Sequence, residues 1–159
     1  MKSLTIRFIN EPGIVSKLIT WQTDSLFCHT EALGRDGKSW VGAHAVTGVE
    51  ARANDWCQPT FERRYELPVT DEQYEAAMLW LESKIGMPYN YLDIVGLTIR
   101  RRIGATDHEF TCSAFMYEFM WSAFLVPLNV LPEYGFLCTP ETLHLSPLFI
   151  GHCVYHFSK

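Results

Sequence analysis

The segment FTCSAFMYEFMWSAFLV, residues 110–126, predicts the structural centre of this chain. The run is almost uncharged, and a helix of this sequence presents apolar side chains on nearly every side, which is typical of a buried helix. Thr111 or a neighbour is suited to cap its N-terminus, so that Cys112 falls in the first turn. The sequence therefore predicts a central buried helix with a cysteine at its head.

Two interpretations of Cys112 are open from its position alone. The unpaired N–H groups and the dipole of a helix N-terminus favour an anion, so a thiol in the first turn can become a nucleophile, particularly beside a histidine. A free cysteine is also often a small buried apolar residue, and the aromatic residues that follow it are typical of a core.

His29 is the best placed of the six histidines to act as the base for Cys112. It lies within a predicted hairpin, two residues before Glu31, and residues i and i+2 of a strand share one face about 7 Å apart. A carboxylate there can orient the ring and stabilise its charged form. An ordinary surface pair would give the same pattern. His44, across the hairpin, is a second candidate base or orienting group.

No metal or cofactor site is predicted. His152 and His156 would share one face of the last strand, but no third ligand is evident. The remaining histidines, His108 and His144, fit structural or exposed positions. The five cysteines are an odd number without a CxxC motif, which indicates reduced thiols rather than a disulfide framework or a zinc ribbon.

The rest of the chain alternates strand and helix signals. Thr70 and Gln73 form the pattern of a capping box, and apolar residues at helical spacing follow it: Tyr74, Ala77, Met78, Leu81 and Ile85. We expect strands at 4–9, 25–33, 40–46 and 149–157, helices at 13–23 and 70–86, an extension of the second hairpin strand at 48–52, and irregular, proline-rich chain at 127–147. This order predicts one α+β domain, residues 1–159.

Composition limits the classes of partner. The net charge of −5 argues against a general nucleic-acid binder. The N-terminus has too few apolar residues for a secretory signal, and the longest apolar run, 119–131, is broken by Pro127 and is too short to cross a bilayer. We expect synthesis in the cytoplasm and no stable membrane insertion, and the oligomeric state is left open.

Three pieces of the sequence resemble a known superfamily. IGMPYNYLDIVGL, residues 85–97, followed by FTCSAFMYEF, residues 110–119, is similar to the Gly-x-Pro-Tyr loop and the Cys-Ser helix start of NlpC-type cell-wall peptidases. The upstream hairpin CHTEALGRDGKSWVGAHAVTGVEAR, residues 28–52, resembles the His-x-Glu pattern of the circularly permuted papain-like branch. Together these resemblances cover roughly residues 25–120, which is most of the chain.

The resemblance implies a permuted papain-like fold, in which a small antiparallel sheet packs against a central buried helix that carries the cysteine. It implies Cys112 as the nucleophile, His29 as the general base and Glu31 as its orienting group. The candidates for the oxyanion or substrate-binding set are Tyr89, Ser113 and His44.

Two positions depart from the pattern of the resembled family. Asn90 stands where relatives often have an aspartate, and Ala114 stands where they often have a glutamate. Neither change removes a predicted catalytic residue, but both weaken inference about the substrate.

The leading hypothesis is a thiol hydrolase, a peptidase or amidase that cleaves amide bonds in bacterial cell-wall peptides through an acyl-enzyme. The first alternative is a lipid ester hydrolase or acyltransferase with the same triad. The second alternative is a non-catalytic binding or virion-assembly module, with aromatic residues of the segment 137–150 at an interface. Under the leading hypothesis we expect a protein that is associated with a virion or delivered by other machinery.

Overall fold

The computed structural model describes residues 1–90, 111–128 and 138–158. In chain order its elements are β1 (Lys2–Asn10), α1 (Ile14–Thr23), β2 (His29–Leu33), β3 (Ser39–His44), β4 (Gly48–Ala53), β5 (Phe61–Val69), α2 (Asp71–Ser83), α3 (Cys112–Ser122), α4 (Pro140–His144), a 3-10 helix (Pro147–Phe149) and β6 (Cys153–Ser158). The six described strands form one antiparallel sheet, so the predicted α+β class is confirmed. None of the described helices is long and apolar enough to cross a membrane.

The sheet has the strand order β4-β3-β2-β1-β5-β6, so the first strand of the chain lies near its middle. Its register pairs Arg7 of β1 with Glu31 of β2 on one side and with Arg64 of β5 on the other. Directly paired residues of antiparallel strands project to the same face of the sheet. The register therefore places these three charged side chains in one row on one face.

The opposite face of the sheet packs into the hydrophobic core. Leu4, Ile6 and Phe8 of β1 are fully buried and alternate with residues on the charged face, as expected for a strand with one core side. Helix α3 joins the same core, since eight of its eleven residues are buried. Helix α3 is thus a buried helix that begins at Cys112.

Helix α2 begins as predicted and ends earlier. The Thr70 hydroxyl accepts a hydrogen bond from the Gln73 backbone N–H, and the Gln73 side chain accepts one from the Thr70 N–H, which completes the capping box. The helix stops at Ser83, so the predicted apolar stripe is wrong at Ile85, which is 48% exposed. Three predicted residues are buried on the inner side: Ala77, Met78 and Leu81.

Two strand predictions are corrected by the structure. Residues 48–53 do not extend β3 but form a separate strand, because Gly48 has a φ of 81° and ends a reversal of the chain direction. The strand β5 was not predicted at all, although Phe61, Tyr65 and Val69 fall on one face of its period-two pattern. Of the intervening charged residues, Glu62 contacts Arg7 across the sheet and Arg64 on its own strand, and Glu66 is exposed.

The C-terminal region contains more regular structure than expected. Within 127–147, which was predicted to be irregular, Thr139 caps the short helix α4 through a reciprocal capping box with Thr142, and Pro140 occupies its first turn. In the segment 137–150, Phe149 is only 3% exposed and packs against Phe8, with 5.2 Å between ring centroids, so it is a core residue and not a surface aromatic.

Candidate active site

Cys112 is the first residue of α3, and the local sequence explains why the helix begins there. Thr111 has an extended backbone, and its hydroxyl accepts a hydrogen bond from the Ala114 N–H, as an N-cap residue does. The Cys112 side chain therefore lies at the end of the helix where unpaired N–H groups point outward. In its protonated form the thiol donates to the Cys28 carbonyl oxygen at 3.8 Å.

His29 and Cys112 line the same cavity, although strands β3 to β5 and helix α2 lie between them in the sequence. Both side chains line a cavity of about 210 Å³, and the His29 ring lies within hydrogen-bonding reach of the Cys112 sulfur. Burial alone would lower the pKa of His29, but the hydrogen bonds to Cys112 and Glu31 outweigh it and hold the pKa well above its usual value. A protonated imidazole beside sulfur is the arrangement that stabilises a thiolate.

Glu31 lies behind His29 on the same face of β2, as the i, i+2 spacing predicts. Its Oε1 atom is 3.4 Å from Nε2 of His29 and 3.3 Å from Nε2 of His44. With Nε2 of His29 directed at the carboxylate, Nδ1 is the nitrogen left for Cys112. The carboxylate is fully buried, and its negative charge lies beside both imidazole rings.

His44 differs from His29 in charge despite sharing the same carboxylate. Burial, and then the positive charge of His29, lower the pKa of His44 to about 3. The two rings lie 4.6 Å apart between centroids, and Trp56 covers His44 with its ring centroid 5.2 Å away. His44 is thus neutral at physiological pH, and its role as a second base or an orienting group stays a prediction.

The loop that carries Tyr89 is held beside this site by β4. The Val49 N–H donates to the Met87 carbonyl at 2.8 Å, and a Cβ on Gly48 would lie only 2.2 Å from the same oxygen, so no larger residue fits there. Tyr89 is buried and lines the cavity together with Cys112. This position agrees with the predicted role of Tyr89 beside the oxyanion or the substrate.

Ser113 does not join the cavity. Its hydroxyl is buried and donates to the Cys138 carbonyl at 2.6 Å, which anchors α3 to the segment before α4. Ser113 is absent from the cavity lining, whose remaining members are Glu11, Ser16, Ile19, Cys28, Ala43, His44, Ala45, Val46 and Arg52. The structure therefore gives the predicted substrate-binding role of Ser113 no support.

Three other cysteines, Cys28, Cys57 and Cys138, are also wholly or partly buried. Burial raises the pKa of Cys57 and of Cys138 to about 12. Burial also raises the pKa of Cys28, although this residue lines the cavity. At neutral pH these three thiols remain protonated, and protonated thiols are poor nucleophiles.

Arg7 is a residue of the site that sequence reasoning missed. Its Nε and Nη2 atoms lie 2.6 and 2.5 Å from Oε2 of Glu31, and both side chains are essentially inaccessible to solvent. The pattern LTIRFI places Arg7 on the polar face of β1, but only the strand register shows that Glu31 is its neighbour.

Gly42 is the second residue of the site that sequence reasoning missed, and its role is to leave space for the side chains of Glu31 and His29. A Cβ at this position would lie 2.9 Å from Cγ of Glu31 and 3.2 Å from Nε2 of His29. Gly42 faces these side chains from the adjacent strand β3, so the absence of a side chain there leaves room for the imidazole–carboxylate pair.

The close approach at Gly42 leads to a testable prediction. Gly42→Ala should lower any activity of Cys112 by at least about tenfold, because displacements of about 1 Å in a catalytic group have effects of this size or larger. Gly37→Ala is the control for a change away from the site: an added Cβ would meet no atom within 4 Å, and the strain from its φ of 64° on the hairpin turn should lower only the melting temperature. Both variants are compared by melting temperature and by Cys112 alkylation rate, and equal alkylation rates would contradict the steric argument.

The group His29, Glu31 and His44 is the one set of described residues whose side-chain donors converge closely enough to hold a metal ion, within 4.8 Å of one another. The Arg7 guanidinium already contacts the same carboxylate, and a second cation at that point would be repelled. We therefore interpret the group as an imidazole–carboxylate array. Of the other histidines, His144 contacts the Tyr65 hydroxyl at 2.6 Å, whereas His108 lies outside the described residues.

Glu31 also gives a prediction for stability against pH. Burial alone would raise its pKa, but the hydrogen bond and charge of His29, followed by the charges of Arg7 and His44, lower it from 4.5 to about 2. The stabilisation from ionised Glu31 is therefore complete above about pH 4.5 and is lost as the pH falls toward about 2.

Unfolding free energies of the wild type and Glu31→Gln test this expectation. Their difference should shrink steadily as the pH is lowered through that window, because the wild type alone loses the ionised carboxylate. A difference that is independent of pH there would show that Glu31 is not ionised in the folded protein. Glu66→Gln serves as the control, since its side chain is exposed on β5.

Comparison with known proteins adds no assignment. No protein-family model matches the chain, and no curated protein matches it. The functional conclusion therefore rests on the geometry of Cys112, His29 and Glu31.

Proposed function

We propose that this chain is a cysteine hydrolase that works through an acyl-enzyme on Cys112. The observation that carries the proposal is the contact of a helix-start cysteine with a buried histidine whose other ring nitrogen faces a buried glutamate. Nucleophile, base and orienting group thus stand in series, which is the arrangement that activates thiols for acyl transfer.

The reaction begins from a Cys112 thiolate and a protonated His29. The sulfur attacks the carbonyl carbon, the carbonyl electron pair moves to oxygen, and a C–S bond forms. When the intermediate collapses, the C–N or C–O bond breaks and His29 gives its proton to the leaving group. Neutral His29 then removes a proton from water as that water attacks the thioester. Release of the acid restores the thiolate and the protonated imidazole.

Two groups are positioned to stabilise the oxyanion that forms in this reaction. The N–H groups in the first turn of α3 point toward the end of the helix where Cys112 lies, and such donors stabilise developing negative charge. Tyr89 lines the same cavity from the loop anchored on β4. Its hydroxyl is our candidate for the second donor.

The proposal includes a permuted papain-like fold and a cell-wall substrate. In support, the sheet strand with His29 precedes the helix with Cys112 along the chain, as in the family that the motifs resemble. That resemblance favours amide bonds of bacterial cell-wall peptides as substrates. It also favours a setting in which the protein is carried by a virion or delivered by other machinery.

A second substrate class is favoured by the lining of the cavity. Ile19, Ala43, Ala45 and Val46 give one side of it an apolar surface, which suits the acyl chain of a lipid ester. The same triad would then act as an esterase or acyltransferase, with the same covalent intermediate.

The experiment is a substrate panel with detection of the intermediate. Purified protein is mixed with cell-wall peptides or short acyl esters, quenched rapidly, and analysed for product and for an acyl adduct on Cys112. We expect an adduct with one class and turnover that requires Cys112. Neither adduct nor turnover with any member, from folded protein, would instead favour the non-catalytic binding or assembly module.

A further inference from the structure

Arg7 lies one step behind Glu31, on the side of the carboxylate away from the histidines. The Glu31 carboxylate is divided between two sets of contacts, with Oε1 facing His29 and His44 and Oε2 facing Arg7. Two atoms of the guanidinium approach the same oxygen, at 2.6 and 2.5 Å. Arg7 thus fixes the rotation of the carboxylate by holding the oxygen that the imidazoles do not use.

Arg7 is itself held by its surroundings. Its guanidinium stacks on the Trp40 ring with 4.3 Å to the centroid, and its Nη1 atom is 3.7 Å from Oε1 of Glu62. Arg64 in turn donates from Nε to the same Glu62 oxygen at 2.6 Å. Charges alternate in sign from His29 through Glu31, Arg7 and Glu62 to Arg64, so each buried charge has an opposite neighbour.

We propose that Arg7 is a positioning residue for the catalytic pair, acting through Glu31 to keep His29 charged and directed at Cys112. This inference rests on the proposed function and deepens it by extending the active array from β2 to Arg7 of β1, on the same face of the sheet. Without the guanidinium, the Glu31 carboxylate loses the contacts that fix its rotation and no longer holds Oε1 beside the imidazole of His29. The imidazole then loses its orientation toward Cys112.

The charged groups around Arg7 determine how the test is designed. Arg7 is faced by Glu31 of β2 and by Glu62 and Arg64 of β5. It is also faced by His44 of β3 and by Cys57 of the segment after β4. Arg64 gives a matched control, because it shares the Trp40 stack and the Glu62 contact but makes no contact with Glu31.

The test measures the rate of Cys112 alkylation by iodoacetamide against pH, with adducts located by mass spectrometry. For Arg7→Met we expect the rate at about pH 6 to fall at least about tenfold, because a displacement of about 1 Å in a catalytic group has an effect of this size or larger. The alkylation rate of Arg7→Lys should lie between those of the wild type and Arg7→Met, because lysine keeps the positive charge but lacks the planar, two-nitrogen contact of the guanidinium. Arg64→Met should keep the wild-type profile.

A double-mutant cycle shows whether Arg7 works through Glu31. In a Glu31→Gln background, Arg7→Met should have no further effect on the alkylation profile. Additive effects would overturn the proposal, as would a folded Arg7→Met protein with the wild-type profile. If Arg7→Met fails to fold, the test uses Arg7→Lys instead. A wild-type alkylation profile for Arg7→Lys would then overturn the proposal.

Failure of this inference and failure of the proposed function are distinguishable. If wild-type Cys112 is alkylated no faster than the other four cysteines, the hydrolase proposal fails first. If Cys112 is selectively reactive and Arg7 variants leave it so, only the positioning role is wrong.

Discussion

Cys112→Ala should reduce turnover to the background rate. We expect a loss of at least about a thousandfold, because removal of a catalytic nucleophile abolishes the covalent pathway and leaves only binding and oxyanion stabilisation. The fold should be retained, since the side chain is small and alanine is well tolerated in the first turn of a helix. Melting temperature and the far-ultraviolet circular dichroism spectrum check this directly.

Two further cysteines provide the matched controls for Cys112→Ala. Cys57 lies outside the cavity lining, and Cys138 is buried beside the other end of the Ser113 hydrogen bond. Cys57→Ala and Cys138→Ala should each keep turnover within a few fold of the wild type. Turnover that survives in folded Cys112→Ala would rule out the acyl-enzyme on this residue.

His29→Gln should have the second largest effect, about a thousandfold in turnover, because it removes the proton donor and the charge that stabilises the thiolate. Glutamine retains a hydrogen-bonding side chain, so the variant tests charge and proton transfer more than volume. The loss should not be recovered at higher pH to the wild-type level, since a thiolate formed by base alone has no acid to protonate the leaving group.

His156→Gln is the control for His29→Gln. His156 is exposed on β6, and its ring contacts Phe61 at 5.1 Å between centroids, far from the Cys112 cavity lining. We expect unchanged turnover for this variant. If His29→Gln and His156→Gln are equally active, the role of His29 as the base is wrong.

The elements that were predicted correctly are those whose signals are local. The capping box at Thr70, the uncharged run after Cys112 and the alternation in β1 each depend on neighbours within a few residues. Strand β5 was missed because its charged residues read as loop unless they have partners across the sheet. Glu62 is buried only because Arg7 and Arg64 lie beside it, and no local pattern carries that information.

The residues of the candidate site divide in the same way, between those that have a signal in the sequence and those that do not. The chemistry of Cys112, His29 and Glu31 was predicted from residue types and from the family that their order resembles, and the structure brings the three side chains together. Arg7 and Gly42 depend on register and on the space between strands, which a single sequence does not display. Ser113 was assigned to the substrate side, yet the rotation of α3 directs its hydroxyl to the Cys138 carbonyl.

The proposed activation of Cys112 by His29 is tested most directly by the alkylation rate of Cys112 against pH. In the wild type we expect rapid, selective labelling of Cys112 at about pH 6, where an isolated thiol is almost fully protonated. In His29→Gln the curve should move to the alkaline range of an ordinary thiol. Superimposable curves for the two proteins, both labelled only at alkaline pH, would contradict the account.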